Sequence, residues 1–431
     1  MLPDRRRLVL WTSYDFANAI VVMVFVMYFS QWLVVENHVA DLWYNMIFVA
    51  ATILLGFTAP FATVFADRHG RRVWFLRTLT VVQVIFYATA GATASYWENS
   101  RLALIVATAA YTLAIYCHQF ALSFYNALLP DIATPKHTGS ASGLGQFAKW
   151  IGTIVGLVVG LIFAKGSLHL LGHAGRSQAF LPATALSCLL TIPSLFLKEP
   201  HGNNALHRAG KTNYIGLAKQ LLQTPGLGPY LLAFFFFNDA IITVQDNMPI
   251  YMQRVMMIGD KTKSIVLAGG LVGAALGGLL GGRLSDKLGL RRTLLICLLI
   301  WAIYLPSLSV VTSTAVFGVM VSLMGLLYGT TWSVARAVMS YLAPKDQVSH
   351  AFGYYTLAER FSSFAGPLAW GLIVSVFGAS GPIRYRVALM TMGVFVGLGL
   401  IVAKRIPNDT VLQTADVRAA PDTSAGAARN R

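Results

Sequence analysis

The sequence predicts an all-α membrane protein in which twelve transmembrane helices form two pseudo-symmetric six-helix bundles. Three observations predict it. The 431-residue chain is 56% hydrophobic and 12% charged, with a mean hydropathy of +0.62, whereas soluble domains carry roughly 25% charged residues. Apolar segments of about 20 residues, enough to cross a bilayer, recur along almost all of it. One short polar loop also occurs at the same point of each half. Asp, then Gly three residues on, then an Arg pair, appears as ADRHGRR at 66–72 and as LSDKLGLRR at 284–292.

The spans fall near 9–34, 42–65, 74–96, 102–129, 141–164 and 179–197, then near 227–251, 264–284, 293–312, 314–342, 350–377 and 385–403. The first is too long for the roughly 7–15-residue core of a signal peptide and lacks a small-residue cleavage site, so it reads as a retained span. The expected domains are an N-terminal bundle (1–197), a cytoplasmic central loop (198–225), a C-terminal bundle (226–404) and a disordered cytoplasmic tail (405–431). With the amino terminus inside, inner loops and flanks hold nineteen Lys and Arg against eight outside, as the positive-inside rule requires. Both termini are then cytoplasmic, and the +16 net charge is mostly a topology signal. A nucleic-acid partner would want a basic folded domain, and none is present. Cys117, Cys188 and Cys297 all fall within spans, so disulfides are not expected. There is no CxxC or HExxH pattern, no P-loop, and no nucleophile–His–acid set. No cofactor, no direct use of ATP and no enzymatic activity are therefore expected, and the chain reads as a monomer.

The repeated loop resembles the signature of the major facilitator superfamily. The second copy is complete, with Gly282, Leu284, Asp286, Lys287, Gly289, Arg291 and Arg292; the first has Asp67, Arg71 and Arg72, but Thr63 stands at the leading Gly. The resemblance implies the major facilitator fold and a latch that forms when the inner side closes, its acid accepting from a neighbouring helix terminus or Arg. The incomplete first copy is expected to be the looser. Further stretches narrow the likeness: SYDFANA (13–19), SFYNALLPDIA (123–133), SGLGQFAKWIG (142–152), YLLAFFFFNDAIIT (230–243), YGTTWSVARAVMSYLAP (328–344) and AFGYYTLAERFSSFAGP (351–367). They are similar to the bacterial and fungal family named after the autophagy-related vacuolar amino-acid effluxer. Two departures stand out: Glu359–Arg360 where a Lys is expected, and Ala337 where a Ser is expected. The resemblance implies a bacterial inner-membrane secondary transporter that moves a small polar solute, amino acids first of all, by alternating access, with proton coupling available. A vitamin, a siderophore or a metal ion stays open as substrate. A non-transporting receptor is the rival outside transport, and it would need a soluble output domain that the short loop and tail do not supply.

Inside the spans the polar residues are the site candidates. Asp15 and Asn18 stand one turn apart near the start of the first span. A carboxylate in hydrocarbon is costly and functional by default. YDFANAI (14–20) and FNDAIIT (237–243) correspond, so Asp239, beside Asn238, is the mate of Asp15 in the other half. These acids read as proton carriers or substrate contacts, or else as caps and packing anchors. Lys149, Arg336, Glu359 and Arg360 must line a cavity or pair. A Lys149–Glu359 or Arg336–Glu359 pair across the halves would make a gate, or a purely structural bridge. His118 and Gln119 lie mid-span, where a relay competes with local satisfaction, and Asn126 could meet substrate or brace the loop. Met248, Met252 and Met256 share one helical face, which suits a soft metal but more often flexible packing. LAGGLVGAALGGLLGG (267–282) allows close helix approach, and AGP at 365–367 is expected to break or bend its helix.

Overall fold

The computed structural model describes residues 5–39, 41–97, 100–164, 175–199, 213–362, 365–377 and 381–408, and all regular structure among them is helical. In chain order the α-helices are α1 (Arg5–Ser30), α2 (Asp41–His69), α3 (Arg72–Tyr96), α4 (Arg101–Ala127), α5 (Leu129–Ile132), α6 (Thr138–Ala164), α7 (Phe180–Thr191) and α8 (Tyr214–Leu222). The second half follows with α9 (Leu227–Arg254), α10 (Asp260–Leu288), α11 (Leu290–Val310), α12 (Thr314–Leu342), α13 (Val348–Phe361), α14 (Ala365–Val376) and α15 (Ile383–Ala403). Eleven spans among the described residues are long and apolar enough to cross a membrane.

The span expected near 350–377 is described as two helices. α13 ends at Phe361 and α14 begins at Ala365, at the AGP sequence. Pro367 falls in the first turn of α14, where a missing N–H costs no hydrogen bond. Residues 363–364 lie outside the described residues, as do 200–212 of the central loop and 409–431 of the expected tail. The first tail residues are not free of the bundle: Ile406 is buried and its carbonyl accepts from Arg291 Nε at 2.6 Å.

Burial is arranged for a bilayer. Large apolar side chains such as Phe57, Ile105, Leu368 and Ile401 stand exposed on the outside, while Asp15, Asn18, Gln83, Asn238, Asp239 and Arg336 are buried inside. An exposed apolar belt this continuous marks a surface that meets lipid.

Within the first half α1 packs on α6, and α3 on α4; within the second, α10 packs on α12, and α9 on α15. The halves meet along two seams, α6 against α10 and α12, and α2 with α4 against α13. The small residues explain the closeness of these crossings. A Cβ added at Gly282 would sit 2.4 Å from the Gly139 carbonyl oxygen and 3.0 Å from Gly143 Cα, so the α6–α10 seam is backbone against backbone. At the matching crossing of α2 and α13 the first half has Thr63, and Gly353 faces it, a Cβ there falling 3.2 Å from the Thr63 side chain. Gly353 stands where Gly143 stands in the other seam, so this crossing keeps glycine on one helix where the other has it on both.

Candidate functional site

Where the two halves close together, Arg336 of α12 reaches across into the first bundle. Its Nε donates to Ser142 Oγ at 3.0 Å and Nη2 to the Ser142 carbonyl at 2.6 Å, both on α6. Nη1 donates to Asp15 Oδ2 at 3.1 Å and to Asn126 Oδ1 at 3.4 Å. Tyr125 donates its hydroxyl to the same Asp15 oxygen at 2.9 Å. The guanidinium lies over Trp11, 4.9 Å from the ring centroid, and Trp11 stacks on Tyr125 at 4.6 Å with an interplanar angle of 6°. Trp11 Nε1 donates to the Tyr125 carbonyl, which fixes that stack. A planar cation over an aromatic face with its fork fully used is a strong and orientation-specific clasp. Both charges are buried, with side chains 5% and 7% exposed. Arg336 is thus bound to Asp15 and not to Glu359, and Lys149 makes no ion pair among the described residues. The expected cross-half bridge exists, but with a different acid. Local sequence could not have selected it, because the three elements that hold the guanidinium, α1, α4 and α6, converge only in the fold.

Asp239 on α9 meets the opposite surroundings. It is fully buried, no side chain among the described residues bonds either carboxylate oxygen, and only the backbone N–H of Gly366 approaches it. Asn238 Oδ1 and Thr243 Oγ1 beside it are likewise buried and without partners. All of this faces the end of α13 and the start of α14. The Asn238 amide donates to the Glu359 carbonyl at 3.1 Å and to Ser362 Oγ, at the end of α13. Gly366, in the first turn of α14, packs so closely that a Cβ there would lie 2.3 Å from Thr243 Oγ1 and 2.9 Å from Asp239 Oδ1. α9 therefore packs against both the end of α13 and the start of α14, with Asn238 Oδ1 and Thr243 Oγ1 unpartnered beside them.

Nearer the helix ends, the two repeated loops each form a clasp. Asp286 accepts from the backbone N–H of Gly139 at 2.8 Å and of Ser140 at 2.9 Å, in the first turn of α6. Asp67 accepts from the N–H of Ser349 at 3.1 Å and of His350 at 2.9 Å, in the first turn of α13. A carboxylate on free N–H groups at a helix N-terminus gains from both the hydrogen bonds and the dipole. Each acid belongs to one half and each helix to the other, so both clasps close the same end of the molecule. Asp67 has a further partner: Arg72 Nε donates to it at 2.9 Å, and Arg72 Nη1 continues to Asp131 at 3.1 Å. The first copy is the more heavily bonded, contrary to the expectation from its missing Gly. Arg291 turns instead to the Ile406 and Lys404 carbonyls, while Arg71 and Arg292 are exposed. Glu199, not singled out by sequence, accepts from the N–H of Val73 and Trp74 and caps the start of α3.

The other candidates separate in the same way. Asn18 is an internal anchor, donating to the Tyr14 carbonyl and accepting from Gln83 Nε2 at 2.6 Å. His118 is half-buried with Nδ1 unpartnered, and Gln119 is buried with Oε1 unpartnered. Lys149 and Arg360 both lie within electrostatic reach of His118. Lys149 packs its ammonium against Trp150, 5.9 Å from the ring centroid, and Arg360 lies 3.7 Å from Glu359. Asn18, His118, Gln119, Lys149, Asn238, Asp239, Glu359 and Arg360 are the site residues that stand outside the Arg336 clasp. The methionine face does not survive: α9 ends at Arg254, so Met256 is off the helix, and Met248, Met252 and Met256 are all buried in the apolar core of the second half. Among the described residues no group of three or more His, Cys, Asp or Glu could hold a metal ion.

A helical bundle with two inverted surfaces, two matching end clasps and a buried polar seam between halves defines a membrane transporter. The model of the Major Facilitator Superfamily matches residues 14–271 and 247–427, and the chain belongs to that family. An uncharacterized MFS-type transporter, YxiO, of Bacillus subtilis (strain 168) is 23% identical over 430 residues, covering 93% of this chain and 94% of that one. Autophagy-related protein 22 of Cryptococcus neoformans var. neoformans serotype D (strain B-3501A) is 28% identical over 185 residues, covering 39% of this chain and 33% of that one. Among solved structures, a bacterial homologue of the iron transporter ferroportin in its outward-facing state has a TM-score of 0.72 at 12% identity, covering 93% and 98% of the two chains. The Escherichia coli fucose:proton symporter has a TM-score of 0.71 at 12% identity, with the same coverage.

Proposed function

We propose that this protein is a secondary transporter that moves amino acids across a bacterial inner membrane by alternating access, coupled to protons through Asp239. The clasped end is the cytoplasmic one, with both termini on that side, and the structure is the state closed to the cytoplasm. The observation that carries the coupling role is Asp239 itself. It is buried, no cation among the described residues pairs with it, and the Gly366 backbone N–H is the one donor beside it, so a proton or a cationic group of the substrate must supply the rest. Asn238, Thr243 and the ends of α13 and α14 beside it supply the acceptors and helix termini that a zwitterionic solute needs. The resemblance of SYDFANA, YGTTWSVARAVMSYLAP and AFGYYTLAERFSSFAGP to the family named after the autophagy-related vacuolar amino-acid effluxer favours amino acids over a vitamin, siderophore or metal ion. Closure then rests on contacts that can part without leaving buried charges behind: the Arg336 clasp and the two aspartate clasps.

Purified protein in liposomes with an imposed pH gradient tests this, using a mixture of radiolabelled amino acids. Accumulation that collapses with a protonophore is expected. Accumulation that is indifferent to the pH gradient would remove the coupling role, and absence of any amino-acid flux would remove the substrate class.

A further inference from the structure

A cavity of about 620 Å³ lies away from the buried acids. It opens at the clasped end, between the start of α6 and the end of α10. Lys136 and His137 line it from the first half, Arg283 and Lys287 from the second, with Ser140 and Tyr341 between them. Asp286 also reaches it, but both of its oxygens are already committed to the Gly139 and Ser140 N–H groups. Among the described residues Lys136, Arg283 and Lys287 have no ion pair. Three cations, Lys136 from the first half and Arg283 and Lys287 from the second, therefore face one space beside His137 without a free counter-charge.

The matching cleft at the other clasp shows what this one lacks. It is about 180 Å³, is covered by Leu217 and Gln220 of α8, and is lined by Val64, Arg68, Asp346 and Gln347 beside Asp67. Counting along the two repeats from the clasp residues, Val64 stands where Arg283 stands, Asp346 where Lys136 stands, and Gln347 where His137 stands. Asp131, which takes Arg72, has Tyr341 as its counterpart. One cleft is balanced by the chain's own acids and roofed by its own helix; the other is open and cationic. Like charges brought together as the halves close oppose closure, and an anion between them reverses the sign of that contribution.

We infer that the cleft lined by Lys136, His137, Arg283 and Lys287 binds a phosphate group that bridges the two halves and favours the closed inner end. Lys and Arg are the residues that hold phosphate, as point charge and as fork respectively. The cleft lies at the ends of two spans, the level of lipid headgroups, so an anionic phospholipid and free phosphate share the required chemistry.

Thermal unfolding of the full chain in neutral detergent, titrated with phosphatidylglycerol, inorganic phosphate or phosphatidylcholine, tests the inference. Phosphatidylglycerol should raise the melting temperature with saturation, and phosphatidylcholine should not. Lys136→Gln/Arg283→Gln/Lys287→Gln should raise the half-saturating concentration at least tenfold, while Lys136→Arg/Lys287→Arg should stay within about threefold of the parent. A response to inorganic phosphate at equal concentration identifies soluble phosphate as the ligand; a response to the lipid alone identifies the headgroup. Should the triple variant not fold, Arg283→Gln alone is expected to weaken binding at least threefold. Equal responses in parent and variants, or no response to either phosphate source, would overturn the site. For the bridging role, spin labels at Arg71→Cys and Arg292→Cys, with Cys117, Cys188 and Cys297 changed to Ser, report the gap between halves. Phosphatidylglycerol should at least double the short-distance population, and an unchanged distribution would overturn the bridge.

Discussion

Asp15 accepts from the side chains of Tyr125 and Arg336, whereas its sequence mate Asp239 is more completely buried and accepts from no side chain among the described residues. Both stand at similar depth, about 15 Å along α1 from Arg5 and about 18 Å along α9 from Leu227. The difference lies in what the opposite half presents. Counting back from the two amide pairs that hold Asp286 and Asp67, the position that carries Arg336 in the second half carries Asn126 in the first. Pseudo-symmetry therefore offers Asp15 a guanidinium and offers Asp239 only a neutral amide, which is itself turned toward Arg336. One substitution at one of two matched positions separates a charge that locks the halves from a charge left for a ligand. Two intramembrane acids from one repeat need not share a role.

The largest effect is expected where that lock is broken from the cationic side. Arg336→Ala leaves Asp15 buried without its cation and removes the partner of Ser142 and Asn126, and breaking such a pair costs about 3–5 kcal/mol. A marked drop in melting temperature and loss of transport are expected; a parent-like melting curve would show that the clasp carries no stability. Asp15→Asn should be milder, since the amide still accepts from Tyr125. The double-mutant cycle of Asp15→Asn with Arg336→Gln should give a coupling energy of at least about 1 kcal/mol.

Asp239→Asn sharpens the comparison from the other side. No partner is lost, so the melting temperature should move less than in Asp15→Asn. Uphill accumulation should fall at least tenfold while downhill exchange persists. The comparison fails if Asp15→Asn loses uphill transport and Asp239→Asn keeps it.

Gly366→Ala sets a methyl against Thr243 and Asp239 and should weaken transport severalfold without touching any charge. Parent-like transport would show that the space between α14 and Asp239 is not used.

The smallest effect is expected at the two end clasps taken against each other. Asp67→Asn removes charge from a residue bonded to Arg72 and to two amides, Asp286→Asn from one bonded to two amides only. Asp67→Asn should therefore lower the melting temperature more, by about 1 kcal/mol of stability, the scale of a charge at a helix terminus. The reverse order would mean that the Arg72 bridge contributes nothing.

Composition, spacing and the repeated loop were enough to read a helical membrane protein with related halves, because hydrophobic length and turn chemistry are local properties written within about 20 consecutive residues. The identity of the polar candidates was legible for a similar reason: Asp15, Asp239, Arg336 and Glu359 are conspicuous anywhere in an apolar span. Their pairing was not. Arg336 and Asp15 lie more than 300 positions apart, and Arg336 could as well have met Glu359 until α6 brought Ser142, and α4 brought Tyr125, around its guanidinium. Thr63 misled for the same reason, since the strength of that clasp comes from Arg72 and from two amides of a helix in the other half. Which charges are neutralised and which are left for a ligand is decided where helices from the two halves meet, because the energy of a buried charge depends on the groups within a few ångströms of it and not on its neighbours along the chain.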